Sequence, residues 1–235
     1  MGGHSHVEGK WTKALGSASH AEGEGSQAVG HLSHAEGEYT KASGFAAHAE
    51  GSHTIAEGIT SHAEGNDTSA KGTASHAEGN DTSAKGVASH AEGKTTISWV
   101  DYSHAEGYKS QAIGFQSHAE GNETQSIGES SHVEGSYSKA EGIASHAEGQ
   151  YTLSIGESSH AEGYSTSAEG FGAHSEGSGQ TLRELKITGD ANATTYTYYG
   201  DYLIAEVGME VRSETNGATA IITAIDEENH TITFD

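Results

Sequence analysis

A five-residue motif, Ser-His-Ala-Glu-Gly or a near copy of it, returns every 14 residues through most of the chain. The motif histidine occurs 13 times without an insertion or deletion, from His6 to His174, and a glutamate follows two residues later each time. A fixed period of this length predicts a repeat architecture in which each copy is one structural unit that stacks on the next. We call one 14-residue copy a rung.

Each rung divides into two halves that read small-x-Ala-x-Gly followed by two linking residues. Because side chains alternate along a strand, the small residues of the motif are predicted to share one face, as in Ser61, Ala63 and Gly65. The histidine and glutamate, such as His62 and Glu64, then share the opposite face. The two halves are therefore predicted to be two short strands.

A helix is disfavoured because the small residues recur at every second position and a glycine recurs every seven residues. Glycine at the end of each half permits the positive φ of a sharp turn. Two strands per rung predict an all-β parallel solenoid, in which 13 rungs at about 4.8 Å extend about 60 Å. The chain has no proline, which suits uninterrupted ladders.

The composition limits what this solenoid can do. Only 32% of the 235 residues are hydrophobic and 33 are glycine, so the interior must be thin and the chain is expected to gain stability by associating with copies of itself. A net charge of −23 argues against binding nucleic acid or anionic membranes. No segment is apolar enough to insert in a membrane, and no signal peptide is recognisable, which predicts unconventional secretion, a fragment or a virion part. The absence of cysteine excludes disulfides.

The paired half-repeats and the 14-residue rung resemble the head domains of trimeric autotransporter adhesins. That resemblance implies a left-handed parallel β-roll assembled as a homotrimer. The SHAEG form of the motif is similar to repeats in phage tail fibres. The adhesin motif is of the type S-V-A-I-G, whose apolar side chains pack between protomers. Here histidine and glutamate occupy those places, so a trimer of this kind would have a polar interface.

The first strand of each rung hardly varies, whereas the outward residues of the second strand drift, as in Lys13 and Leu15 against Leu153 and Ile155. A surface that faces symmetry mates tolerates change poorly, since each change appears three times around the axis. We therefore predict that the motif histidines and glutamates face a threefold axis. The residues that carry this prediction most directly are His20, Glu22, His34, Glu36, His62, Glu64, His76, Glu78, His90, Glu92, His104, Glu106, His118, Glu120, His146, Glu148, His160 and Glu162.

Three chemical roles are open for these residues. The first is a hydrogen-bonded polar zipper that fixes register and trimer state, with opposite charge raising the histidine pKa and desolvation lowering it. The second is an ion site on the axis, either a metal such as zinc or nickel at histidines such as His76, His90 and His104, or chloride. The third, catalysis, is disfavoured because 13 equivalent copies make no unique pocket. No enzymatic activity and no obligatory cofactor are expected.

One rung departs from the pattern in its second half, where Trp99 appears and Val100 replaces the usual glycine, followed by Tyr102. These aromatics are predicted to add surface where neighbouring rungs have none, and they suit either packing against adjacent rungs or neighbouring protomers, or contact with a glycan or receptor. Trp99 and Tyr102 are the predicted ligand contacts.

The period ends after Gly177, and the rest of the chain alternates apolar and polar residues between turn signals such as Thr215-Asn216-Gly217 and Asp226–Asn229. This predicts an N-terminal tail at 1–4, a β-roll at 5–178 and a small antiparallel β-domain at 179–235 that caps the roll, holds the trimer or binds a receptor.

The function predicted from the sequence is structural, with attachment to a host-surface glycan or protein receptor. The chain would belong to a trimeric surface adhesin or phage tail fibre, outside the cell, on its surface or on a virion. The alternative is a metal- or anion-binding trimeric module that responds to pH.

Overall fold

The computed structural model describes residues 2–182, 195–197, 210–212, 219–226 and 231–234. Throughout these residues the ordered elements are strands, and no helix that could span a membrane occurs among them. The first half of every rung contributes one strand to a 13-stranded parallel sheet, and the second half contributes one strand to another 13-stranded sheet. The predicted all-β parallel solenoid with 14-residue rungs is confirmed. Its left-handed winding and its threefold assembly stay predictions.

The first sheet, which we call the His–Glu sheet, is built from strands of five residues except the last. Its strands are β1 His6–Lys10, β3 His20–Glu24, β5 His34–Glu38, β7 His48–Ser52, β9 His62–Asn66, β11 His76–Asn80, β13 His90–Lys94, β15 His104–Tyr108, β17 His118–Asn122, β19 His132–Ser136, β21 His146–Gln150, β23 His160–Tyr164 and β25 His174–Ser175.

The second sheet, which we call the variable sheet, has strands of only two residues. They are β2 Lys13–Ala14, β4 Gln27–Ala28, β6 Lys41–Ala42, β8 Ile55–Ala56, β10 Ser69–Ala70, β12 Ser83–Ala84, β14 Ile97–Ser98, β16 Gln111–Ala112, β18 Gln125–Ser126, β20 Lys139–Ala140, β22 Leu153–Ser154, β24 Ser167–Ala168 and β26 Thr181–Leu182.

The interior between the two sheets holds small side chains. Alanine fills it at most levels, Val7 and Val133 take the place of the motif alanine in two rungs, and the motif serines from Ser19 to Ser159 are buried beside it. The hydroxyl of such a serine donates a hydrogen bond to a backbone carbonyl three residues earlier, as Ser61 Oγ does to the carbonyl of Gly58 at 2.8 Å. Where serine replaces the second alanine, it joins the next motif serine, as in Ser98 Oγ and Ser103 Oγ at 2.6 Å. The predicted thin core of Ala, Ser and Thr is therefore correct.

The turns differ from the prediction. The motif glycine, such as Gly65, does have a positive φ of 110°, but it lies exposed rather than on the interior face. The glycine that ends the second half, such as Gly72, does not need a positive φ. The sharp turns instead use the seventh and fourteenth residues of each rung in the left-handed region, as in Asp67 and Ala74, both at φ 55°.

The second glycine of each rung is required by close stacking instead. A Cβ built on Gly72 would lie 1.7 Å from the carbonyl oxygen of Gly86 in the next rung. Where Val100 occupies the equivalent place the register continues, with Ile97 opposite Gln111. One rung-to-rung backbone bond nearby, from Gln116 N to the oxygen of Asp101, lengthens to 3.3 Å. The irregular rung is thus strained locally but not interrupted.

The chain divides into two compact units, Met1–Thr181 and Leu182–Asp235. The described strands of the second unit are β27 Thr195–Thr197, β28 Glu210–Arg212, β29 Thr219–Asp226 and β30 Thr231–Phe234. They form an antiparallel sheet in the order β27-β30-β29-β28, and Ile222 and Ile232 are buried in it. The predicted small antiparallel sheet is confirmed. The predicted Thr215-Asn216-Gly217 turn and residues 227–229 of the second turn lie outside the described residues, and the capping role stays a prediction.

Candidate functional site

The 13 motif histidines and 13 motif glutamates form two parallel columns on the outer face of the His–Glu sheet, and we call them together the His–Glu ladder. In-register pairing sets the columns, since each histidine is opposite the histidine of the next rung, as His62 is opposite His76. All the ladder residues predicted from sequence lie here. Consecutive imidazole rings are 4.7 to 4.9 Å apart and, beyond the tilted His6–His20 pair, stack within 1 to 8° of parallel.

The carboxylates lie between successive imidazoles. His90 Nε2 is 3.5 Å from Glu78 Oε1 of the preceding rung and 3.7 Å from Glu92 Oε2 of its own rung. His48 shows the same arrangement, at 3.2 Å from Glu36 Oε1 and 3.9 Å from Glu50 Oε2. Among the described residues, the histidines with two carboxylates within 4.0 Å are His48, His62, His90 and His118.

Most of these ring nitrogens lack a hydrogen-bond partner within the described part of the chain, although Nε2 is covered from solvent. A covered polar atom without a partner is costly, so each nitrogen is expected to have one in solution. The Nε2 atoms concerned belong to His20, His34, His62, His76, His90, His104, His118, His132, His146 and His160.

The sequence left attraction and desolvation as opposing effects on the histidine pKa, and desolvation wins. Burial, followed by repulsion from the adjacent imidazole, lowers the pKa of five ladder histidines in the single chain. These are His34, His62, His104, His118 and His146. The neutral form of these five histidines is favoured.

The glutamate column alternates in acidity, which the sequence did not predict. Hydrogen bonding with Glu92 raises the pKa of Glu106 to about 8, and hydrogen bonding with Glu120 raises that of Glu134 to about 7. The hydrogen bond with Glu106 in turn lowers the pKa of Glu92. Stacked carboxylates repel one another, and a proton held by every second one turns repulsion into hydrogen bonds. The pKa is lowered at Glu36, Glu92, Glu120 and Glu148 and raised at Glu50, Glu106, Glu134 and Glu162.

A groove of about 1070 Å³ runs beside the glutamate column. Its walls are the glutamates from Glu36 to Glu120 and its floor includes the motif glycines from Gly37 to Gly135. The groove exists because the residue after each glutamate has no side chain. It leaves the carboxylates open to solvent or to a partner along most of the roll.

A family model described as the YadA head domain repeat matches residues 147–173, where it finds two copies. The chain is similar to a YadA head. Together with the 14-residue rungs, this match fits a trimeric autotransporter adhesin head repeat. None of the curated proteins compared with the chain matches it.

The predicted ligand contacts lie away from the ladder of these YadA-like rungs. Trp99 follows β14 of the variable sheet and is 42% exposed, with Lys85 Nζ 3.3 Å from the centre of its ring. Tyr102 lies in the turn that follows and meets Phe115 edge to face at 5.7 Å. The next rung therefore does supply an aromatic partner, contrary to the prediction that neighbouring rungs have none.

A second aromatic cluster was not predicted. Tyr137 stacks on Tyr151 at 5.2 Å, and Tyr151 meets Tyr164 edge to face at 6.0 Å. Tyr137 and Tyr151 are 14 residues apart, so the repeat period itself is the signal that could have placed them side by side.

Proposed function

We propose that this chain is a structural and attachment module of a trimeric surface adhesin or phage tail fibre, with the His–Glu ladder at the threefold axis. The observation that carries the proposal is the contrast between the two outer faces of a solenoid that resembles a YadA head. One face repeats histidine and glutamate in all 13 rungs, and the other changes from rung to rung.

The shape of the constant face supports a contact between copies. A threefold assembly joins two different patches of each subunit, because its contacts run head to tail around the axis. The glutamate column borders a groove, so the histidine column of one copy could lie against the groove of the next. Neutral imidazoles against partly protonated carboxylates also avoid a collision of like charges.

In this arrangement the variable sheet faces away from the threefold axis, where it can contact a receptor. YadA-like adhesin heads are typically exposed on cell surfaces, which supports an extracellular or virion location for this chain. The exposed aromatics Trp99 and Tyr102 are the contacts we propose for a glycan or protein receptor. Three weak contacts presented together by one trimer would gain avidity.

Single cysteines test which face lies at the axis, because the chain has none of its own. Glu64→Cys places a thiol on the ladder, and Lys71→Cys places one on the outer face of the same rung. If the ladder lines the axis, oxidant or a short bismaleimide should join two chains through Cys at 64, since symmetry mates meet there at one level.

The Lys71→Cys chain is the matched control and should stay monomeric on a denaturing gel. Native mass measurement of both variants establishes that the trimer has formed. Crosslinking through position 71 but not 64 would reverse the assignment of the faces, and a monomeric mass for the unmodified chain would refute the trimer.

A further inference from the structure

The ladder contains a set of atoms suited to a metal ion within a single chain. His90 Nε2 lies between Glu78 Oε1 at 3.5 Å and Glu92 Oε2 at 3.7 Å. A tetrahedral zinc ion with bonds of about 2.05 Å holds its ligand atoms about 3.3 Å apart. Small side-chain rotations would therefore bring the three atoms to coordinating positions.

The charges of the three groups also match a divalent cation. Metal binding deprotonates its ligands, and a neutral imidazole with two carboxylates then carries two negative charges, which one divalent ion offsets. Without a cation, protons shared between in-register carboxylates relieve their repulsion, so a bound cation would take the place of a proton in a chain whose net charge is −23.

The ring nitrogen points to a missing partner independently of the carboxylates. His90 Nε2 has almost no exposed surface and has no hydrogen-bond partner among the described residues. A metal ion would satisfy this nitrogen with better geometry than the carboxylate contacts, which are 3.5 and 3.7 Å long.

The groove gives a metal ion access to this site, and the types of ligand atom determine which metal it prefers. In the single chain Glu78 and Glu92 line an open groove, so an ion reaches them without unfolding a rung before the copies associate. One nitrogen and two carboxylate oxygens suit zinc and similar transition metals, whereas magnesium demands octahedral oxygen ligands and dehydrates reluctantly.

We propose that His90, Glu78 and Glu92 bind a divalent transition-metal cation of the zinc class, with a water molecule or a group from another copy as the fourth ligand. The imidazoles of His76, His90 and His104 are 4.7 to 4.8 Å apart, farther than the about 3.3 Å between ligand atoms of a tetrahedral zinc ion, so the two carboxylates suit the ion better than a second histidine. All three ligands belong to one chain, and the site does not depend on the trimer.

The other histidines flanked by two carboxylates match zinc less well. At His62 both N–O distances are 3.8 Å, and at His118 they are 3.8 and 3.9 Å. At His48 one contact is a 3.2 Å hydrogen bond, which already satisfies the nitrogen. The site at His90 is therefore expected to fill first.

The test measures zinc retained by the full chain after chelator treatment, reloading with Zn²⁺ and dialysis, with Mg²⁺ as the ion expected not to be retained. His90→Gln should lower the zinc content by one ion per chain. His53→Gln, which removes an exposed histidine outside the ladder, should leave it unchanged. Anomalous diffraction at the zinc edge should show a peak bounded by residues 78, 90 and 92.

Circular dichroism checks that each variant folds. If His90→Gln does not fold, Glu92→Gln tests the same site, because it replaces another of the three ligands. Loss of one zinc ion in either folded variant supports the site. The proposal is overturned if the unmodified chain retains no zinc, if both folded ladder variants retain as much as the unmodified chain, or if His53→Gln loses as much. Native mass recorded with and without chelator keeps this result separate from that of the trimer.

Discussion

The chemistry of single residues in this chain is set by repetition. An isolated histidine beside a glutamate would gain a proton readily, but here each imidazole also stacks on identical rings above and below it, as His62 does on His48 and His76. Desolvation and repulsion by His48 then lower the His62 pKa. The same repetition raises the pKa of Glu106 and Glu134 and lowers that of Glu92 and Glu120.

This alternation predicts a stability that depends on pH near neutrality. The pKa of Glu134 is raised to about 7 by its hydrogen bond with Glu120 and by desolvation. A raised pKa in the folded state means that the proton stabilises the fold fully below the ordinary value, and that this contribution disappears as the pH rises through about 7. Below the ordinary histidine pKa of 6.5 the lowered pKa values of five ladder histidines act in the opposite sense, so melting temperatures in chelator-containing buffer should fall from about pH 6.5 to about pH 8. Glu134→Gln keeps a neutral donor and should flatten that decline.

Glu123→Gln is the control, because Glu123 is outside the ladder and pairs with Lys109. The Glu123→Gln substitution should shift the plot of melting temperature against pH without changing its slope. The shared-proton explanation is wrong if the slopes of Glu134→Gln and the unmodified chain coincide. Glu120 and Glu148, whose pKa values are lowered, act in the opposite sense and at more acid pH.

At the scale of the elements, rung stacking depends on backbone contact more than on side-chain burial. Gly72→Ala would drive a Cβ to 1.7 Å from the carbonyl oxygen of Gly86. Two rungs must separate to relieve this, which should lower the free energy of unfolding by about 3 kcal/mol. The midpoint of guanidinium unfolding measures the effect.

Gly172→Ala is the matched substitution, with nothing within 4 Å of the new Cβ and a φ of 61°. It should cost only about 1 kcal/mol, the usual cost of a left-handed residue. Equal losses in the two variants would show that close stacking does not require glycine at position 72. The longer bond beside Val100 already shows what a side chain at the glycine position does to the next rung.

The sequence predicted the elements well where periodicity determines them. The spacing of Ser61, Ala63 and His62 was enough to predict two strands per rung, their register and the small interior. It did not predict the turns, because residues such as Ala74 and Thr95 take the left-handed conformation under the constraint of rung stacking and not from their own preference. The alternating acidity also escaped prediction, since it arises only when identical carboxylates meet in register.

On the scale of the whole roll, two chemically different faces follow from one alternating strand pattern. The His–Glu ladder gives a face that repeats the same groups at every level. The variable sheet gives a face on which single rungs can differ, as the rung of Trp99 does. This division suits a trimeric shaft whose axis is uniform and whose outer surface carries local contacts.

Attachment through this outer surface should therefore depend on one rung and on density. On glycan arrays, the trimer should bind densely printed ligand about a hundredfold more tightly than sparse ligand, since three sites engage together.

Trp99→Ala should abolish this binding. Trp11→Ala is the matched control, because Trp11 is also exposed and also lies under a lysine, Lys10, but belongs to another rung. Equal loss in both variants, or binding of the unmodified chain that is independent of density, would contradict a multivalent glycan contact at Trp99. Unchanged binding of Trp99→Ala would place the contact elsewhere, with the cluster of Tyr137, Tyr151 and Tyr164 the next surface to substitute.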